Sequence, residues 1–164
     1  MNCYICKREL TDPKSIAAGI GPVCAAKILN HDDQPQNDRT QLLSDPINDE
    51  NGIILQRTDA GVATNVPRLV TDHSPDGYEW GYHGSGPADL ALNIVEVVLR
   101  QMGYRGSKML ILWNGDTCFR KAYTLHQDFK REFIAGMPEA GGVIPLDKIK
   151  KWILATIPTQ RSLF

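Results

Sequence analysis

The sequence predicts an α+β protein: a small antiparallel sheet packed with about three helices, preceded by a small cysteine-bearing module. Three observations lead there. Short extended runs broken by turn residues occupy roughly residues 53–76. Three apolar stripes at helical spacing follow, near 87–102, 117–135 and 145–156. Ahead of both, Cys3 and Cys6 form a Cys-x-x-Cys pair with Cys24 downstream.

Composition sets the outer limits. Of 164 residues, 42% are apolar and 23% charged, ordinary values for a globular chain with one core and a small appendage. No run approaches the ~18 apolar residues of a membrane span, and the N-terminus lacks the basic-then-apolar order of a signal peptide. A cytoplasmic protein that makes no membrane contact is expected. The net charge of −1 hides an uneven distribution, since residues 31–52 carry six acidic residues against Arg39 alone and residues 101–164 carry ten basic against five acidic. This excludes the strongly basic balance of a non-specific DNA binder, while allowing a basic face in the C-terminal third.

Residues 1–30 read as a zinc-binding module. Cys3 and Cys6 on a tight knuckle supply two corners of a tetrahedron, and Cys24, opening a short helix, gains from the helix dipole as a thiolate. Zinc would also supply folding energy that so short a segment cannot draw from apolar burial. A closed site needs a fourth ligand, and His31 is the nearest candidate. It follows Cys24 by seven residues, about 10 Å of rise in an unbroken helix, so the helix would have to end before Asn30. Asp12, Cys118 or a water are the other options. Residues 31–52, rich in Asp, Asn, Gln and Pro, read as an acidic flexible linker.

From Ile53 the chain turns extended: Ile53 to Leu55, a turn at Asp59 to Gly61, then Val62 to Val70 interrupted by Pro67. Ser74 to Gly77 is a turn delivering the chain to Gly77 to Gly86, where glycines, aromatics and His83 crowd together. Pro87 suits a first helical position with Gly86 at the cap. The helix beyond buries Leu90, Ala91, Ile94, Val95, Val98, Leu99 and Met102, leaving Asp89, Asn93, Glu96 and Arg100 on a polar second face before Gly103 ends it. Met109 to Trp113 reads as a strand or buried extension, and Asn114 to Asp116 as a turn. Residues 117–135 form the next helix, with Phe119, Ala122, His126, Phe129 and Phe133 at helical spacing and Cys118 as a small buried residue within it. Val143 and Ile144 make a short strand, Pro145 to Thr156 a last helix, and residues 157–164 a tail. The α+β domain thus spans 53–156.

The central loop offers the candidate ligand site: Trp80, Tyr82, His83, Gly84, Ser85 and Gly86. A glycine-rich loop entering a helix can present free N–H groups to phosphate or a nucleotide. In the plainer reading, the glycines let Trp80 and Tyr82 tuck under the helix. No triad, paired-carboxylate or P-loop spacing accompanies the loop, so no catalytic residue is assigned.

Two resemblances cover most of the chain. Cys3, Cys6, Leu10 to Pro13, Ser15, Gly19 to Pro22 and Cys24 fit the pattern of a short cysteine-containing domain of unknown function found in phage and bacterial proteins, which residues 3–27 resemble. Gly77 to Ala91, with Phe129-Lys130 and Ile149 to Trp152 later, fit the signature Gly-Phe/Tyr-Glu-Trp-Gly-Tyr-x-Gly-Ser-Gly-Pro-x-x-Leu-Ala. Residues 53–156 on that ground resemble a second uncharacterised family, carried by phages, plasmids and other bacterial mobile elements. The resemblances imply a setting rather than a reaction. The expected function is that of a non-enzymatic accessory protein of a phage or mobile genetic element, binding nucleic acid or a host protein through a zinc module and a small α+β domain. Two alternatives stand beside it: an inhibitor of a host defence system, and a nucleotide- or phosphoester-acting enzyme using loop 79–89.

Overall fold

The computed structural model describes residues 9–18, 21–22, 39–106, 109–112 and 114–156, and the chain divides into two units, Met1–Gln36 and Asn37–Phe164. In the first unit, helix α1 spans Pro13–Ala18. Asp12 caps it, its Oδ2 accepting from the Ser15 backbone N–H at 2.9 Å and from the Ser15 hydroxyl at 3.0 Å, while Pro13 takes the position that needs no donor. Cys3, Cys6, Cys24 and His31 lie outside the described residues, as do the expected helix after Cys24 and the tail at 157–164.

The second unit holds strands β1 (Thr40–Leu42), β2 (Ile53–Thr58), β3 (Gly61–Thr64), β4 (Met109–Ile111), β5 (Thr117–Phe119) and β6 (Gly141–Ile144). Its helices are α2 (Ser85–Gln101), α3 (Arg120–Phe129) and α4 (Leu146–Thr156), with a π-helical turn, Lys130–Ile134, continuing α3. The main sheet runs β1-β3-β2-β6, and β4 pairs with β5 in a separate hairpin. The hairpin at Asp59 and Ala60 forms as expected, pairing Thr58 with Gly61 and Leu55 with Thr64.

The sheet is mixed, which corrects the antiparallel expectation. β1 lies parallel to β3, Thr40 opposite Val62 and Leu42 opposite Thr64, and β1 is drawn from residues whose composition had marked them as acidic linker. Polar character in a three-residue edge strand does not prevent backbone pairing, since Gln41 and Leu42 are exposed and Thr40 is half-buried. Extended structure in β3 stops at Thr64. The predicted helix over 117–135 also differs: Thr117 to Phe119 are strand, and Cys118 is buried in β5 rather than in a helix. Phe119 is also the N-cap of the helix that follows, and its N–H donates to Glu96 Oε2 at 2.8 Å.

The core lies where Ile53 and Leu55 of β2, the long helix α2, and Phe129, Ile134, Ile149 and Ile153 meet. Each such aliphatic side chain contributes about 1.5–3 kcal/mol by leaving water. Phe129, Phe133 and Trp152 form an aromatic cluster with ring centroids 4.7 to 5.9 Å apart. Among the described residues no helix is long and apolar enough to cross a membrane.

The main departure concerns α2. Its polar side is as buried as its apolar side: Asp89, Asn93 and Glu96 are each fully enclosed. Backbone groups of neighbouring segments take up their polar atoms. Asp89 Oδ1 accepts from the N–H groups of Asp72 and His73, and Oδ2 from Ser74 N–H at 2.9 Å and the Arg68 guanidinium at 3.5 Å. Asn93 Oδ1 accepts from Leu69 and Val70, and its Nδ2 donates to the Val70 carbonyl. Segment 68–74 has no regular ladder of its own, so α2 side chains satisfy it.

Candidate functional site

Residues 77–86 thread between the sheet, α2 and the turn after the π segment, and Tyr78, Glu79, Trp80 and Gly81 are each tied to a different part of the chain. Gly77 adopts φ +116 and Gly81 φ +85, conformations that L residues rarely take. The Tyr78 N–H donates to Thr40 Oγ1 of β1 and its hydroxyl to the Pro67 carbonyl. Glu79 meets Arg57 of β2 in a two-pronged ion pair, at 3.2 and 2.8 Å. Trp80 is buried, donating Nε1–H to the carbonyls of Pro138 and Glu139, with the Arg57 guanidinium 4.8 Å above its ring. The Gly81 N–H donates to the Ile134 carbonyl at the end of the π turn.

Trp80 therefore tucks in as expected, but Tyr82 does not. Its ring is 48% exposed and lies across Gly84, where an added Cβ would stand 2.3 Å from Cε2. Gly84 rather than Gly86 is the N-cap of α2, and the helix opens at Ser85, two residues before Pro87. The backbone must pass beneath an aromatic ring at Gly84, and the extended conformation there ends the loop early. Gly86 is tight for another reason: a Cβ would come 2.8 Å from Glu79 Cβ. His83 and Ser85 are exposed, and among the described residues neither side chain makes a hydrogen bond. Glu79 and Asp89, the carboxylates that an enzyme reading of loop 79–89 would set beside His83 or Ser85, bond instead to Arg57 and to the backbone of residues 72–74.

Tyr82, Ser85 and Gly86 instead line a cleft of about 620 Å³. Arg39, Arg57, the hairpin residues Thr58 to Gly61 and Asp76 to Glu79 line it as well. Both charge signs face it: Arg57 and Glu79 neutralise each other, leaving Arg39 with Asp59 and Asp76. Sequence reasoning located the loop and missed Arg39, Arg57, Asp59 and Asp76. The β2–β3 hairpin turn and the parallel pairing of β1 bring Arg39, Arg57 and Asp59 to the cleft that Tyr82 lines, and the signal within reach was Glu79, the acid inside the signature that pairs with Arg57.

A second polar cluster lies apart from the loop. His73, on the segment held by Asp89, meets His126 of α3, Nε2 to Nε2 at 2.9 Å. Asp72 Oδ2 is 3.1 Å from His73 Nε2 and accepts from the Tyr123 hydroxyl at 3.1 Å. Burial pushes the Tyr123 phenol up to about 12, helped by the Asp72 charge, and burial holds the His126 imidazole below its ordinary value. Nearby Cys118 has its thiol pushed up to about 12, by burial first and by the charges of Glu96 and Asp72 next.

Among the described residues no three His, Cys, Asp or Glu side chains are placed to close a metal site. The expected cysteine ligands are not among those residues. Comparison with known proteins gives two matches to family models: residues 1–29 match a family of unknown function (DUF6011), and residues 48–107 match another family of unknown function (DUF6166). No curated protein and no solved structure matches the chain. The second match takes in β2, β3, the central loop and α2, and stops before β4. The chain thus carries two stretches, each similar to an uncharacterised domain family.

Proposed function

We propose that the chain is a non-enzymatic accessory protein whose α+β unit binds a partner protein in the cleft beside Tyr82. The supporting observation is Tyr82 itself, a half-exposed aromatic seated over a glycine that leaves it room, in a cleft that Arg39 also lines. Tyrosine and arginine at a concave, mixed-charge surface are the residue types that anchor protein interfaces. A phosphate backbone would be served by a run of unpaired cations; here Arg57 is already paired and Asp59 and Asp76 face the same space. We further propose that zinc, held by Cys3, Cys6, Cys24 and His31, folds the N-terminal module, and that the protein works in the cytoplasm in the phage or mobile-element setting its resemblances imply. Inhibition of a host defence system is one form such binding would take.

The test is capture from host extract by the immobilised full chain, compared with Tyr82→Ala and Arg39→Glu. One specific protein should be retained by the wild type and lost from both variants, while their unfolding midpoints stay unchanged. Retention of that protein by both variants would remove the cleft from the account. Tyr82-dependent binding of a single-stranded oligonucleotide at moderate salt would move the assignment to nucleic acid.

A further inference from the structure

We propose that His73 and His126 form a binding site for a divalent transition-metal ion of the zinc class, separate from the N-terminal cysteines and open to solvent on the His73 side. The two residues are held so that their Nε2 atoms meet, 2.9 Å apart. The His73 backbone N–H donates to Asp89 Oδ1 at 2.8 Å, which fixes the residue on its segment. His126 is 2% exposed, and its Nδ1 lies 2.5 Å from the Tyr123 carbonyl oxygen. A carbonyl only accepts, so Nδ1 carries the proton and Nε2 of the neutral ring presents its lone pair. A backbone carbonyl orients metal-ligating histidines in this same manner.

That lone pair has two claimants, the His73 Nε2 at 2.9 Å and the Gln127 side-chain nitrogen at 2.9 Å. One in-plane lone pair cannot serve both donors fully. A cation between the rings would take both Nε2 lone pairs, with the His73 proton on Nδ1 and the Gln127 amide turned to present its oxygen. Zn–N arms of about 2.0–2.1 Å at a tetrahedral angle place neighbouring ligand nitrogens roughly 3.3–3.4 Å apart, so the rings part by about 0.4–0.5 Å from their present 2.9 Å to admit the ion. Asp72, 3.1 Å from His73 Nε2 and only 9% exposed at its side chain, supplies negative charge against the added ion, opposed by Lys130. Two imidazoles beside a carboxylate suit zinc rather than magnesium or calcium, which prefer oxygen. No third described side chain closes the shell, so solvent completes it. Bound there, the ion would tie segment 68–74 to α3.

The experiment uses the full chain, with equilibrium dialysis against Zn²⁺, metal analysis, and the ¹⁵N spectrum of the histidine rings. The wild type should hold one more zinc per chain than His73→Ala, and the Nε2 signals of His73 and His126 should shift together as that equivalent binds. The difference in count separates this site from any zinc on the cysteines. The ring spectrum needs no variant, which guards against a misfolded substitution. Equal zinc content in the two proteins, or ring signals unmoved at saturating zinc, would overturn the assignment.

Discussion

Replacing Asp89 by Asn tests whether the buried polar side of α2 holds the chain together. The substitution keeps the shape and removes one acceptor. If the amide oxygen takes the place of Oδ1, the contacts to Asp72 and His73 survive as weaker neutral bonds. The new NH₂ group then faces the Ser74 N–H and the Arg68 guanidinium, both donors. A hydrogen bond to a charged group contributes about 1.5–3 kcal/mol, and breaking a buried ion pair from one side costs about 3–5 kcal/mol. The side chain is fully buried, so water cannot compensate. Together these give an expected loss of about 3–5 kcal/mol, a large part of the ~5–15 kcal/mol that stabilises a typical domain. Urea unfolding followed by tryptophan fluorescence should show a midpoint about 2 M lower with unchanged slope. Amide exchange at Asp72, His73 and Ser74 should accelerate. A loss under about 1 kcal/mol with those amides still protected would refute the view that Asp89 organises segment 68–74.

Three further outcomes follow from the geometry. Gly84→Ala should displace the exposed Tyr82 ring and abolish partner capture while lowering stability by less than about 1 kcal/mol, read from capture and unfolding together. Gly141→Ala should destabilise by about 2 kcal/mol or more, because φ is +92 and the new Cβ would stand 2.1 Å from the Leu55 carbonyl oxygen; thermal unfolding checks it. Cys118, with its thiol pushed up to about 12 by burial, should resist iodoacetamide at about pH 8 and react once denaturant is added, as peptide mass spectrometry would show.

The periodicity of α2 was legible because a long buried helix repeats its apolar residues whatever surrounds it, and Leu90, Ile94, Val98 and Leu99 are all enclosed as expected. The β2–β3 hairpin and the final helix were legible for the same local reasons, turn residues in one case and the spacing of Leu146, Ile149 and Ile153 in the other. Asp89, Asn93 and Glu96 misled because polar residues at helical spacing read as a solvated face. Their burial depends on distant backbone amides at 69–74 and 119, which no local pattern records. Of the candidate site, the loop was visible in the signature, whereas His73 and His126 stand 53 positions apart with nothing in either neighbourhood to pair them.

The sequence by itself determined the long helix α2, the β2–β3 hairpin and the last helix, and it singled out the Gly77 to Gly86 stretch, because backbone freedom, side-chain period and turn chemistry act over a few residues. Tertiary structure alone decided that β1 joins the sheet in parallel, that the polar side of α2 is internal, that Trp80 is enclosed while Tyr82 meets water, and that two histidines face each other. Those outcomes rest on backbone donors and acceptors finding partners across the chain, and long-range satisfaction of buried polar groups leaves no local periodic trace.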